Sequence, residues 1–275
     1  AARHRRWTIP RARNSMLPPQ RAAGPVRARR QNRRPGTFER GVVLFIHEVH
    51  KVVGKSAARF EDAYRSGWMP TLAEGSDARL LWYFDLAHGS GLAYRAVTVT
   101  AVEDGAAWAR LAERLAGGDL QSWARHLDGL QHESHGRIMT PLEWSPAIGA
   151  LHDIPGDPAV HEPTMYMEDT MWPYPGQIGE YIEKSGDVYR SALGAEGSRM
   201  HMSIELSMQT VPGAGRYPEV TLLQKLSALP PLIHLLTNDI PPEVTGPGSW
   251  MHEALELRDQ WRSKLLRTAV WSPLP

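Results

Sequence analysis

The sequence predicts an α+β protein made of two tandem ferredoxin-like β-α-β-β-α-β units packed sheet to sheet. Three observations predict it. From residue 42 the chain runs strand, helix, strand, strand, helix, strand in its hydrophobic periodicity. From residue 164 the same order starts again. The stretch YRSGWMPTLAEGS (64–76) also returns as YRSALGAEGS (189–198), and LEWSP is echoed by VWSPLP at the end of the chain. Tyr64 thereby maps onto Tyr189, Glu74 onto Glu196 and Trp144 onto Trp271, at offsets of 125, 122 and 127 residues, the near-constant spacing of an internal repeat.

Each element has its own signal. VVLFIHEVHKVV (42–53) is β-rich and apolar, and GKSAARFEDAYRSGW then sets Ala57, Phe60, Ala63 and Tyr64 on one helical stripe. ARLLWYFDLAHG (78–89) and LAYRAVTVTAVED (92–104) flank a Gly-Ser-Gly turn and read as a hairpin. A second helix carries Trp108, Leu111 and Leu115, continuing to Leu120, Trp123 and Leu127, and GRIMTPLEWSP (136–146) closes the unit. In the second copy TMYMEDTMW is a strand, and Ile178, Tyr181, Ile182, Ser185, Val188 and Tyr189 form the helical stripe. SRMHMSIELSMQTV pairs with PEVTLLQKLS. A broken helix then presents Trp250, Ala254, Leu257, Trp261 and Leu265, before RTAVWSPLP. Tyr-Arg-Ser is expected to end the first helix of each unit, with the Gly of Ala-Glu-Gly-Ser supplying a left-handed cap. The repeated letters therefore speak of capping rather than of catalysis.

These elements divide the chain into a leader (1–41), a first unit (42–150), a linker (151–163) and a second unit (164–275). The formal net charge of +1 hides an asymmetry. Residues 1–40 hold 12 Arg and a single acid, Glu39, a charge of +11, which leaves 19 basic against 29 acidic residues, or −10, in the rest. An acidic body argues against nucleic-acid binding. The Arg- and Pro-rich leader reads as a disordered basic tail or as an artefact of where the reading frame opens, Glu-Arg-Gly before Val42 and Val43 resembling a translated ribosome-binding site. Cysteine is absent, which removes disulfides, thiolate metal sites and Cys nucleophiles and suits a reducing cytoplasm. No apolar run approaches the ~20 residues of a membrane span, so no membrane partner is expected. Self-association through edge strands is expected to be open to the fold.

The strand LFIHEVHKVVGK, the helix after it, the hairpin LLWYFDLAHGSGLAYRAVTV and the Trp-bearing second helix together resemble the dimeric α+β barrel superfamily, specifically its NIPSNAP-like branch with two tandem domains. The resemblance spans residues 42–275 and is one of pattern, with no shared catalytic signature to carry over. It implies oxygenase or lyase/isomerase chemistry, since relatives include monooxygenases, haem-binding enzymes, dehydratases and isomerases, beside members without known chemistry.

Strand alternation nominates site residues. In RMHMSIELSM the even set (Met200, Met202, Ile204, Leu206, Met208) is apolar and the odd set (His201, Ser203, Glu205, Ser207) polar. In the matching strand Leu80, Trp82, Phe84 and Leu86 alternate with Arg79, Tyr83 and Asp85. If the apolar sets pack under the helices, the polar sets face the space between the sheets. The first strands then place Val43, Phe45 and Val49, with Met165 and Met167, under helices, and Glu48, His50, Tyr166, Glu168, Thr170 and Trp172 inward.

Three readings of that face stay open: a satisfied polar network, a metal or haem site on His50 and His201 with Glu48 or Glu205, or metal-free acid/base catalysis. His50, His201, Glu48, Glu205 and Glu168 are the candidate catalytic groups, with His50 and His201 doubling as metal ligands. Arg79 would hold a substrate anion, while Tyr83, Trp172 and Tyr166 would line the cavity around an apolar or aromatic small molecule. A cofactor is unassigned: none, a metal ion or haem.

HEVH (47–50) is not HExxH. On a strand His47 and His50 face opposite ways and do not share an ion. His132 and His135 read as a helix end or loop, and His234 and His252 receive no role. The methionines 165, 167, 171, 200, 202 and 208 suggest Cu(I) by softness, but a helix-covered face makes them core filler. Nucleotide and serine-hydrolase signatures are lacking. The favoured function is a small-molecule enzyme; a ligand-binding or scaffolding protein of the same branch is the alternative.

Overall fold

The computed structural model describes residues 44–193 and 201–275. The chain runs β1 (Leu44–Val52), α1 (Ala57–Ala63), a π-helical turn (Tyr64–Trp68), α2 (Met69–Glu74), β2 (Ala78–Leu86), β3 (Arg95–Val102), α3 (Gly105–Gly117), α4 (Gln121–Asp128) and β4 (Gln131–Pro141). After a connection come β5 (Met165–Trp172), α5 (Ile178–Leu193), β6 (Met202–Thr210), β7 (Val220–Leu226) and α6 (Leu229–Thr237). Short helices α7 (Pro242–Thr245) and α8 (Trp250–Glu253) precede β8 (Gln260–Thr268).

The eight strands form one closed antiparallel barrel in the order β1-β3-β2-β8-β5-β7-β6-β4. Each set of four keeps the ferredoxin-like order, and two short seams join the sets. One is Phe84↔Thr268 to Leu86↔Leu266, the other Met139↔Thr210 to Pro141↔Met208. This is the dimeric α+β barrel arrangement made within one chain. Each seam pairs only three residues, so closure joins part of the edges of β2, β8, β4 and β6.

Closure changes which residues face inward. An eight-stranded barrel is just wide enough to be filled by its own side chains, and Phe45, Trp82, Phe84, Val97, Val99 and Leu206 belong to that inner core. Leu151 and Ile154 of the connection, with Leu274, pack against it. A strand therefore needs apolar residues on both faces, and the expectation that only the helix side is apolar fails at β1. Phe45 and Val49 turn inward with His47, while Ile46, His50 and Val52 lie on the helix side.

β-Bulges decide the other two strands. A register shift between Leu80 and Trp82 leaves Leu80 under the helices but swings Trp82 and Phe84 inward, so Tyr83 packs outward instead of facing the cavity. A second shift between Ile204 and Leu206 keeps Met202 and Ile204 on the helix side and turns Leu206 and Met208 inward. β5 follows simple alternation: Met165 and Met167 meet the helix-side cluster, while Tyr166 and Glu168 point in.

Three element boundaries differ from expectation. β4 begins at Gln131, so His132 and His135 are strand residues, held in register with β1 across Val49↔His135. Trp261 and Leu265 lie in β8, not in a helix. The first helical run does not stop at Tyr-Arg-Ser but continues through the π turn to Glu74, where Gly75 follows at φ −81°, without a left-handed cap. The Glu-Gly-Ser of the second copy lies outside the described residues. Gly67 in the π turn answers a different need: a Cβ there would stand 2.2 Å from the Trp123 ring.

Replacing Phe84 by Ala empties the inner core next to Tyr166, whose ring centroid is 5.1 Å away. Urea unfolding should show a loss of about 3–5 kcal/mol, against less than about 0.5 kcal/mol for Leu92→Ala on the exposed hairpin loop.

Candidate functional site

β1 carries chemistry on both faces. His47 points into the barrel and His50 out toward the helices, as the strand geometry of HEVH requires.

The outward face builds a pocket. Glu48 and His50 of β1, Tyr64 and Trp68 of the π turn, and Trp108 and Leu111 of α3 line a cavity of about 220 Å³ between sheet and helices. His50 is 3% exposed. Its Nδ1 lies 3.0 Å from Gln131 Oε1, and the Gln131 amide donates to Asp128 Oδ1 at 3.0 Å, which fixes the amide's orientation. Nδ1 therefore carries the proton and Nε2 is the acceptor. Nε2 sits 3.1 Å from Thr98 Oγ1 and 3.2 Å from the Tyr64 hydroxyl. Burial first, then the charge of Glu48, pushes the Tyr64 phenol well above its ordinary pKa and keeps it a proton donor. The π turn presents this pair: it widens the helix at Tyr64–Trp68, and single π turns recur at functional sites. The sequence places Tyr64 on a helical stripe and at a repeated helix end, and nothing in it signals the π turn.

The inward face builds a buried network. His47 and Glu168 are both fully buried, with His47 Nε2 2.9 Å from Glu168 Oε2. Lys264 Nζ donates to Glu168 Oε1 at 2.7 Å, and Arg137 Nη2 donates to His47 Nδ1 at 2.8 Å. Arginine can only donate, so His47 is neutral and gives its Nε2 proton to Glu168. Arg137 also pairs with Glu219, which accepts from Trp172 Nε1 at 2.7 Å and from Thr210 Oγ1 at 3.0 Å. Burial, then Arg137, lowers the His47 pKa to about 4. Burial alone would raise Glu168, but His47, Lys264 and Arg137 outweigh it and hold the carboxyl well below its usual range. Glu168 and Trp172 were named from sequence; His47, Arg137, Lys264 and Glu219 were not.

The remaining nominated residues do not converge. His201 is exposed, at φ 49° just before β6, and cannot join His50 on one ion. Glu205, beside the β6 bulge, accepts from Ser203 on the same strand at 2.8 Å. Arg79 spends its guanidinium on the carbonyls of Gly75 and Ala78, at 2.6 and 2.8 Å. Tyr83 packs between Tyr64 and Trp271, with ring centroids 5.4 and 4.9 Å away, and Tyr166 is inner core with its hydroxyl on Pro275 O at 2.7 Å. Glu48 and His50 line the sheet–helix pocket and not the space inside the barrel.

The nominated metal ligands His50 and His201 do not meet: His50 lines the sheet–helix pocket and His201 is exposed ahead of β6. No group of three His, Cys, Asp or Glu side chains gathers among the described residues.

The network makes stability depend on acidity in a defined window. His47 is harder to protonate folded than unfolded, so the unfolded chain takes up the proton first. Stability is full above about pH 6.5 and falls toward pH 4, by about 3 kcal/mol from this residue. The depressed Glu168 adds a further loss below the ordinary carboxylate range. Urea midpoints from pH 7.5 to 4 should fall steeply for the natural chain and less so for His47→Gln; equal slopes would refute the assignment.

No family model and no curated protein matches the chain. Solved structures do. A provisionally named monooxygenase from Lactobacillus acidophilus NCFM aligns over 85% of this chain and 98% of its own at a TM-score of 0.51 and 9% identity. An anthrone oxidase-like protein aligns over 82% and 91% at 0.52 and 7%. A NIPSNAP domain protein from Burkholderia xenovorans is 18% identical over 38% of this chain and 98% of its own, at 0.33. No helix among the described residues is long and apolar enough to cross a membrane. The chain has the dimeric α+β barrel fold, with monooxygenase-like and NIPSNAP domain proteins among its structural neighbours.

Proposed function

We propose that the chain is a small-molecule enzyme whose reaction begins with proton abstraction in the sheet–helix pocket at His50. The observation that carries the reading is His50 Nε2, an unprotonated base buried between the hydroxyls of Tyr64 and Thr98 on the wall of an apolar, aromatic cavity. About 220 Å³ suits a one-ring or short-chain molecule rather than a larger ligand. Trp68, Trp108 and Leu111 would hold such a body, and Glu48 and Asp128 disfavour an anionic one. The cysteine-free sequence suits a cytoplasmic setting.

The step is a proton transfer from an acidic C–H or O–H of the substrate to His50 Nε2. Tyr64 donates its O–H to the oxygen that gains negative charge. Asp128 and Gln131 act as positioning residues, keeping the Nδ1–H tautomer and with it the lone pair on Nε2. From the resulting enolate or phenolate, return of the proton to another carbon is an isomerisation and loss of a neighbouring group is a lyase reaction. Addition of the carbanion to dioxygen, supplied as co-substrate, gives a hydroperoxide once the proton returns, and loss of water from a carbon that still bears hydrogen leaves a carbonyl, an oxygenation. The structural neighbours named as monooxygenase and oxidase share the fold and leave that choice open.

Hydrogen–deuterium exchange into phenylacetone, a neutral one-ring ketone, tests the step by NMR in D₂O. The natural chain should accelerate exchange at the carbon beside the carbonyl, and His50→Gln should lower that by about 10²–10⁴-fold. Tyr64→Phe should lower it less while circular dichroism stays unchanged. A rate equal in the natural chain and His50→Gln would favour a purely binding role.

A further inference from the structure

A second site lies at one end of the barrel, away from His50. We propose that this mouth binds a small organic carboxylate with an apolar body. The cavity measures about 500 Å³, and four cationic side chains line it: Arg95 at the start of β3, Arg137 on β4, and Arg262 and Lys264 on β8. Glu219 is the one acid on the wall, and Glu168 lies beneath it against Lys264.

Charge decides the ligand's sign. Arg137 is matched by Glu219 and Lys264 by Glu168, while His47 is neutral. Arg95 and Arg262 form no ion pair among the described residues, so the mouth carries an excess of two positive charges. A concave site with low-dielectric walls concentrates such a field on whatever enters.

The donors are also prearranged. The two buried carboxylates fix Arg137 and Lys264, and the Lys264 ammonium, with three N–H groups, makes one bond to Glu168 at 2.7 Å. The Arg262 guanidinium stands 5.6 Å over the Trp172 ring, whose N–H is tied to Glu219. Arg137 and Lys264, held by these carboxylates, have little side-chain freedom left to lose when an anion arrives, which favours binding. Val49, Leu86 and Leu92 supply an apolar wall that a bare inorganic anion would leave unused.

Calorimetric titration at low salt with benzoate, phthalate, inorganic phosphate and neutral benzamide tests the proposal. One saturable site is expected for benzoate and a tighter one for phthalate, whose two charges match the excess, with phosphate weaker and benzamide silent. Arg95→Gln and Arg262→Gln lie at the rim, outside the core, and each should weaken benzoate about tenfold. His50→Gln should bind benzoate as the natural chain does, which separates this site from the proposed catalytic pocket. The idea is overturned if no carboxylate binds, if benzamide or phosphate matches benzoate, if both arginine variants bind normally, or if His50→Gln abolishes binding.

Discussion

The contact between His47 and Glu168 holds the barrel's polar interior in place. It joins β1 to β5 across 121 residues of sequence, with both side chains removed from water. A buried carboxylate is costly unless its oxygens are satisfied. Here one oxygen accepts from His47 and the other from Lys264, while Arg137 turns His47 into a donor toward Glu168 and reaches across to Glu219. Removing one partner would strand the others, so these positions behave as a unit. The network also explains the barrel's asymmetry: aromatic and aliphatic side chains fill one stretch of the interior, and cations line the other.

Much of the architecture was legible in the sequence because its signals are local and repeated. The strand–helix–hairpin–helix–strand order appears twice, and β5 announces its faces by alternating Met165 and Met167 with Tyr166 and Glu168. β1 announces nothing of the kind. Leu44, Phe45, Ile46, Val49 and Val52 are apolar on both sides, so alternation shows which residues share a face and not which face is inside. The two bulges are invisible for a related reason: each shifts a run of side chains by one position without a Pro or Gly to mark it.

The candidate site was legible in fragments. His50 with Glu48 was found, but in the wrong compartment, and Glu168 and Trp172 were found without their partners. Arg137 and Lys264 sit in β4 and β8 and Glu219 just before β7, and only the barrel's strand order brings them together. Glu205 was named by an alternation that the bulge after Ile204 interrupts, and His201 by one that starts only after it, at Met202. Tyr64 sat in plain view in the repeated stretch, yet its role comes from a π turn that its copy, Tyr189 in the continuous helix α5, does not share. The repeat thus marks common ancestry of form, and the chemistry lies where the copies diverge.

The two faces of β1 divide the work. Outward, His50 keeps its acceptor nitrogen toward an apolar pocket; inward, His47 gives its proton to a carboxylate. Both assignments rest on tautomers, and ¹⁵N spectra of the histidine side chains at neutral pH and at pH 5 measure those directly. The account predicts an Nε2–H tautomer for His47 that persists to pH 5 and an Nδ1–H tautomer for His50 at neutral pH. A His47 ring that is protonated at pH 6, or a His50 ring with its proton on Nε2, would contradict it.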